Sequence, residues 1–262
     1  YFQTKQKKLN LKNPQTNKKK IQWLKLYKYQ NDKLITQLVD KYRVREYLQG
    51  GGYGYLLNEL YAVYDAVHEI CVDSLPEQFV LKCNHDSGST IICDNKDKSD
   101  FEMVKKKLEK CFHQDFWINN VEVQYRKVPK KIICERYLTS MTGELIDYKF
   151  FCFNGKPKLL YCQTTNDDGW ENISFYDCNW NMLPIKRKGH DLAEYMERPN
   201  NFEEMFNIAE KLSEPFPFVR VDLYVVDEQI FFSEFTFVPT GGLMQFEDDR
   251  IDYELGKLLE IF

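Results

Sequence analysis

Apolar residues alternate at Val219, Val221, Leu223 and Val225, leaving Arg220, Asp222 and Tyr224 on the other side, which predicts a strand with two unlike faces. A second strand follows from Phe232 to Thr236, with Glu234 and Thr236 on one face together with Phe232. If Asp227-Glu228-Gln229 forms a three-residue loop, Asp222 lies directly opposite Glu234. Opposed like charges destabilise a strand pair, so this arrangement wants a cation, and oxygen ligands on a hairpin suit Mg²⁺. Acids on strands that simply face water are the competing reading. Arg220 on the same face and the glycine pair of Pro239-Thr-Gly-Gly242, which lets backbone approach a ligand closely, favour the ligand site.

The same patterning sets out the rest of the chain. Apolar positions spaced by three and four predict two helices between Ile21 and Leu48, with Lys41, Arg45 and Gln49 as a stripe at i, i+4 and i+8. Gly50 to Gly54 ends the helical stretch, and a mixed segment runs to Pro76. Phe79 to Cys83 and Ile91 to Cys93 read as strands around the small-residue loop Asn84-His-Asp-Ser-Gly-Ser-Thr90, a place where successive N–H groups and Lys82 can meet an anion. His85 is open between a base or ligand and a histidine bonded to backbone. Ser99 with Glu102 forms a capping box ahead of a helix bearing Phe101, Val104, Leu108, Cys111 and Phe112.

Beyond it, Lys131 to Leu138 is a buried strand running into a loop at 139–143. Asp147 to Phe153 and Lys158 to Cys162 flank the Asn154-Gly155 hairpin turn. Asn166 to Lys188 is polar and predicted irregular. Asn201 with Glu204 caps a helix whose Met205, Ile208, Ala209 and Leu212 point inward, and a last helix spans 251–261.

Composition narrows the class. A chain of 262 residues that is 43% hydrophobic and 15% aromatic is globular, without an apolar run long enough to span a bilayer or a visible signal peptide. Eight cysteines at 71, 83, 93, 111, 134, 152, 162 and 178 form no Cys-x-x-Cys pair and sit mostly in apolar runs, as reduced thiols of a cytoplasmic protein do. Net charge is −4, yet nine lysines and no acid precede Asp32. Such an arm is either a solvated terminus or a contact for an anionic polymer or the inner membrane surface. No nucleic-acid-binding pattern accompanies it.

Taken in order, Phe79-Val-Leu-Lys-Cys-Asn-His85, Glu135-Arg-Tyr-Leu138, Asp147-Tyr-Lys-Phe-Phe-Cys-Phe-Asn-Gly-Lys-Pro157, Phe218-Val-Arg-Val-Asp-Leu-Tyr224 and Glu234-Phe-Thr236 resemble the ATP-grasp superfamily. They look most like its TupA-like branch, associated with teichuronopeptide and other cell-surface polysaccharide biosynthesis. The resemblance runs from Leu9-Asn-Leu-Lys-Asn-Pro14 to the terminal helix. It implies an α+β ATP-grasp fold of two subdomains gripping ATP behind a short helical N-terminal segment. The expected divisions are a basic arm and helical segment at 1–75, a small subdomain at 76–138 and a large subdomain at 139–262.

The resemblance also implies roles. Lys82 holds the α and β phosphates with Lys41 or Arg45 as a second cation, and Ser87, Gly88 and Ser89 form a mobile flap. Glu135 accepts from the adenine amino group, the backbone of Arg136, Tyr137 and Leu138 lines the base, and Asp147 takes the ribose, with Lys149 in the same nucleotide set. Asp222, Glu234 and Thr236 hold Mg²⁺, and Arg220 stabilises the transferred phosphoryl group or the acyl phosphate. His85, Thr240 and Gly241 are substrate-side candidates. The chain departs from the family in three places: Asp86 follows His85 where His-Gly-Ser-Gly is common, which sets a negative charge near the phosphates; Thr236 replaces a usual Asn; and Pro239-Thr-Gly-Gly replaces Pro-Gly.

The implied activity is a carboxylate–amine ligase joining an amino acid or amine to a uronic acid of a surface glycan through an acyl phosphate. A phosphotransferase acting on a glycan hydroxyl and a non-catalytic nucleotide- or glycan-binding module are the alternatives.

Overall fold

The computed structural model describes residues 9–119, 121–139, 145–165 and 171–261. In chain order they form helix α1 (Asn17–Trp23), a π-helical turn (Leu24–Tyr29), α2 (Lys33–Leu38), α3 (Val44–Gly50) and strands β1 (Leu60–Tyr64), β2 (Phe79–Cys83) and β3 (Ile91–Cys93). Helix α4 (Phe101–His113) and β4 (Ile132–Arg136) follow, then β5 (Asp147–Phe153), β6 (Lys156–Thr165), β7 (Glu171–Asp177) and β8 (Met182–Leu183). Helix α5 (Phe202–Ser213), β9 (Phe218–Val226), β10 (Gln229–Thr236) and α6 (Asp249–Leu258) complete the chain. Two compact units result: Tyr1–Gln30 with Ser140–Phe262, and Asn31–Thr139. The basic helical stretch expected as one piece at 1–75 is therefore divided between them.

The unit Asn31–Thr139 is an antiparallel sheet in the order β1-β4-β2-β3. Phe79, Leu81 and Cys83 alternate onto one face with Ile132 and Cys134, and Leu108 of α4 seals that core. Lys82 and Glu135 alternate onto the opposite face. Strand β1 lies in the segment expected to be mixed up to Pro76, where Leu60-Tyr-Ala-Val-Tyr64 is half-buried without strict alternation. The cap of α4 is Asp100, whose carboxylate accepts from the Met103 N–H at 3.0 Å. Ser99 instead donates to the Asn95 carbonyl at 2.8 Å.

The other unit is an antiparallel sheet ordered β10-β9-β5-β6-β7-β8. Its Phe150 and Cys152 face α5, where Met205, Ile208, Ala209 and Leu212 are all buried. Asn201 precedes α5 but makes no side-chain cap; its amide donates to the Glu228 carbonyl at 3.1 Å. The turn after β5 has both Asn154 (φ 51°) and Gly155 (φ 75°) left-handed, the geometry an Asn-Gly hairpin requires. Strands β7 and β8 occupy much of the stretch expected to be irregular; Ile173 and Phe175 are buried there and Tyr176 stacks on Trp180 at 4.5 Å.

Part of the lysine-rich stretch, of which residues 1–8 lie outside the described residues, is built into this unit. Lys18 is buried and pairs with Asp252 at 3.3 Å, Lys20 donates to the Leu259 carbonyl at 2.6 Å, and buried Lys25 donates to the Gly241 carbonyl at 3.0 Å. Among the described residues no helix is long and apolar enough to cross a membrane.

Candidate active site

The hairpin β9–β10 brings Asp222 opposite Glu234, as the sequence suggested, but by another route. The loop has two residues, Asp227 and Glu228, both left-handed at φ 48° and 65°. Val226 therefore pairs with Gln229, and a bulge between Phe232 and Glu234 supplies the shift that a three-residue loop would have given. The bulge also moves Phe232 off the acidic face: it pairs with Leu223 and packs on Phe235 with ring centroids 4.9 Å apart.

One face of the sheet thereby collects its charges. Register sets Lys149 opposite Asp222 and Tyr161 opposite Lys149, with Asp147 two residues along. Asp222 is fully buried, and its oxygens accept from Arg220 Nε at 2.7 Å and Nη2 at 2.6 Å. Lys149 Nζ lies 3.2 Å from both Asp222 Oδ2 and Asp147 Oδ2. The Arg220 guanidinium also reaches Glu234 Oε1 at 3.4 Å, Thr236 Oγ1 at 3.0 Å and the Tyr161 hydroxyl at 3.2 Å. Burial is the largest single influence on Lys149 and Arg220 and works against their charges, yet Asp222 together with Asp147 beside Lys149, and with Tyr161 and Glu234 beside Arg220, outweighs it and holds both pKa values above their usual range. Asp147 is pushed up, by burial first and then by Asp222 and Glu234, with Lys149 opposing; its Oδ1 is buried with no hydrogen-bond partner.

Two carboxylates across one register position, a hydroxyl and an unpartnered carboxylate oxygen nearby are hard oxygen donors, and they fit Mg²⁺, a cation that completes its shell with water and phosphate. Among the described residues no group of three or more His, Cys, Asp or Glu side chains forms a metal cage by itself. Asp222 and Glu234 would be the ligands; Glu234, with a third of its side chain exposed, is the more open.

The unit Asn31–Thr139 carries a cationic group of its own. Lys82 Nζ sits 2.7 Å from Glu135 Oε2, and Arg45 Nη1 lies 3.3 Å from Glu135 Oε1 while its Nη2 donates to the Asn58 carbonyl at 2.7 Å. Burial lowers the Arg45 pKa and Glu135 opposes the fall. Glu135, expected at the adenine, here engages the two cations through its carboxylate. Arg136 gives its N–H to the Glu59 carbonyl at 2.9 Å and accepts from Asn58 at 2.8 Å; Tyr137 and Leu138 follow, half-buried.

Lys41 is not on a helix with Arg45. It lies in the turn before α3, so no i, i+4, i+8 stripe forms, and its amine bonds the Asp86 carbonyl. The Asp86 carboxylate is buried, accepting from Ser89 Oγ at 2.6 Å, and burial raises its pKa. It ties down the loop rather than lining an open anion site. Ser89 is correspondingly an anchor, accepting from the Cys83 N–H at 2.8 Å, which leaves Ser87 and Gly88 as the exposed tip. His85 is buried edge-on to Phe112, with a pKa lowered to about 4 by burial and Lys130, so it is neutral near pH 7.

The anchor beneath this loop was missed from sequence. Buried Asp40 accepts from Asn84 Nδ2 at 2.8 Å and from the N–H groups of Tyr42 and Arg43 at 2.9 and 3.2 Å. Arg187 was missed too; it donates to Thr240 Oγ1 at 3.1 Å from within the stretch expected to be irregular. In the Pro239–Gly242 turn Thr240 and Gly241 are left-handed, and the Gly241 carbonyl accepts from Gln22 at 2.9 Å as well as Lys25. The loop at 139–143 lies, apart from Thr139, outside the described residues. All eight cysteines are free.

The fold is thus α+β and antiparallel, with an Arg-Asp-Glu cluster on one sheet and a Lys-Glu-Arg group on the other. The TupA-like ATP-grasp family model matches residues 19–260, and the chain belongs to that family. Among solved structures it is similar to the D-alanine–D-alanine ligase of Bacillus anthracis complexed with ATP, at 17% identity and TM-score 0.40, over 77% of this chain and 54% of that one. The corresponding ligase of Helicobacter pylori is 15% identical with TM-score 0.44, over 93% and 69%. An L-amino acid ligase of Bacillus licheniformis is 10% identical with TM-score 0.41, over 79% and 42%. The chain thus spans about half the length of the first of these. No curated protein matches it in sequence.

Proposed function

We propose that this chain is an ADP-forming carboxylate–amine ligase acting in the cytoplasm. The observation that carries the reading is the buried cluster in which Arg220 and Lys149 converge on Asp222 beside Glu234. Charged groups held rigidly in a water-poor setting are what stabilisation of a phosphoryl transfer demands. ATP supplies the phosphoryl group, and Mg²⁺ held by Asp222 and Glu234 would neutralise its charge.

In this reading Lys82 binds the phosphates with Arg45 and Lys41, the Arg136–Leu138 strand end takes the base and Asp147 the ribose. A carboxylate oxygen of the acceptor attacks the terminal phosphorus, the bond to the bridging oxygen breaks, and ADP leaves. Arg220 offsets the charge on the transferring group. An amine nitrogen then attacks the acyl carbon, phosphate departs, and the amine proton passes to solvent. No covalent protein nucleophile is needed, and His85, buried and neutral, is assigned no proton. The acceptor we favour is a uronic acid of a surface glycan, following the family resemblance; the exposed Lys12 and Lys28 remain for contact with an anionic polymer or membrane surface.

Thermal unfolding with Mg-ATP, followed by product analysis over uronates and amino acids, tests this. Ligand at about 100 times its dissociation constant adds roughly 2.7 kcal/mol, which at about 2–4 °C per kcal/mol is a shift of several degrees. ADP, free phosphate and an amide support the ligase. A phosphate monoester without free phosphate makes it a phosphotransferase, and nucleotide binding without turnover makes it a binding module.

A further inference from the structure

Arg187, half-buried, differs from Lys149 and Arg220 of the same unit. Lys149 and Arg220 each have a carboxylate within ion-pair distance, whereas none of the described carboxylates pairs with Arg187. Its guanidinium is half-buried and held in place. The backbone around it is strapped to the chain that follows the Pro239–Gly242 turn, through an antiparallel bridge from Arg187 to Phe246, Lys188 N–H to the Gln245 carbonyl at 2.9 Å and Glu247 N–H to the Lys186 carbonyl at 2.9 Å. Its Nη2 donates to Thr240 Oγ1, and Tyr161, whose hydroxyl already accepts from Arg220, interacts with it too. Glu171 favours the charge from beyond ion-pair distance and lies 3.4 Å from His190.

A guanidinium that is partly withdrawn from water, fixed by neutral partners and set near a second guanidinium is electrostatically unfavourable by itself. Burial and then Arg220 depress its pKa, with Tyr161 and Glu171 opposing. An arriving anion reverses that balance, and the planar fork of arginine suits a carboxylate.

We infer that Arg187, with Thr240 and Tyr161, forms a subsite for a carboxylate group of the acceptor substrate. This rests on the ligase reading and gives the acceptor an anionic group that is recognised rather than activated, since activation belongs to the Arg220 cluster.

The test uses acetate and glucuronate as probes, with acetamide and glucuronamide as neutral counterparts, at ionic strength matched with sodium chloride. Thermal unfolding and titration calorimetry are read for the native chain, Arg187→Gln, Arg187→Lys and Thr240→Val; Mg-ADP is titrated in parallel. The native chain should be stabilised by the carboxylates and not by the amides. Arg187→Gln should bind them about tenfold more weakly or worse, Arg187→Lys should recover part of the affinity, and Thr240→Val, which keeps the guanidinium, should lose less than Arg187→Gln. The Mg-ADP shift should persist in all three.

Equal response to acids and amides, no carboxylate binding by the native chain, or unchanged affinity in Arg187→Gln overturns the inference. So does loss of Mg-ADP binding with carboxylate binding retained, which would make Arg187 a phosphate ligand. Arg187-dependent carboxylate binding in a chain that shows no response to Mg-nucleotide would leave the subsite standing while the ligase reading falls.

Discussion

Asp222 and Glu234 oppose each other only because the strand bearing Glu234 carries one extra residue. Leu223 pairs with Phe232, so an unbroken ladder would set Ser233 against Asp222; the bulge advances the register by one and brings the second acid into line. The two acids are nevertheless unequal. Asp222 is sealed from solvent and accepts from Arg220 and Lys149, while Glu234 keeps a third of its side chain exposed and accepts from Thr236 Oγ1 at 3.2 Å and from Arg220 at 3.4 Å.

Asp222→Asn should therefore cost far more stability than Glu234→Gln. Removing the shared partner of two buried cations is expected to cost about 3–5 kcal/mol, against about 1 kcal/mol or less for the exposed acid. Both should lose Mg²⁺-dependent nucleotide stabilisation. Urea unfolding gives the first comparison and thermal shifts the second; equal stability costs would refute the inequality, and an undiminished Mg-ATP shift in either variant would refute the ligand assignment.

The turn that sets this register is strained. Glu228 has a side chain yet adopts φ 65°, a conformation that costs a residue other than glycine roughly 1–2 kcal/mol. Glu228→Gly should raise the melting temperature by a few degrees, at about 2–4 °C per kcal/mol. The loss of a 3.4 Å contact between the Glu228 carboxylate and Asn200 offsets little of that. A fall in melting temperature would show that the left-handed turn is not the native one.

How far these features were legible follows from their periodicity. Strand β9 was readable because Val219, Val221, Leu223 and Val225 alternate with polar residues, and α5 because its apolar residues recur at three and four. Strands β1 and β7 were not, since they are half-buried or buried on both faces and so lack alternation. The pairing of Asp222 with Glu234 came out right because two errors cancelled, a loop one residue too long and an unseen bulge. Arg187 carried no local signal at all. Its position depends on a bridge to Phe246, 59 residues away in sequence, and no spacing rule reaches that far.

His85 ties stability to pH. Its folded pKa of about 4, set by burial first and then by Lys130, lies below the value of about 6.5 expected for the unfolded chain. Between those values the unfolded chain binds more protons, so stability falls as pH drops from about 6.5 toward 4. Asp40, Asp86 and Asp147 are shifted upward by burial and work in the opposite sense, which masks the effect in the native chain alone. The informative quantity is a difference. On going from pH 7.5 to 5, the native chain should lose about 1–2 kcal/mol more in urea unfolding than His85→Gln does. Parallel pH profiles for the two would mean that His85 is not buried as a neutral imidazole.

Gly256 marks the tightest approach between α6 and the segment entering α1. A β-carbon there would meet the Gln15 carbonyl at 2.2 Å and the Asn17 nitrogen at 2.9 Å, both backbone atoms that cannot swing aside. The same contact carries the buried Lys18–Asp252 pair, in which the Lys18 N–H also donates to Asp252 at 2.9 Å. Alanine favours a helix over glycine by about 1 kcal/mol, whereas overpacking costs roughly 1–3 kcal/mol or more. The steric term should win, because relief requires moving two helices and loosening their ion pair. Gly256→Ala should thus lower stability by about 1–3 kcal/mol, while Lys257→Ala, one residue along and exposed, should change it by about 0.5 kcal/mol or less. If Gly256→Ala proved more stable than the native chain, helix propensity would have prevailed, and the close seating of the N-terminal segment against α6 would have to be given up.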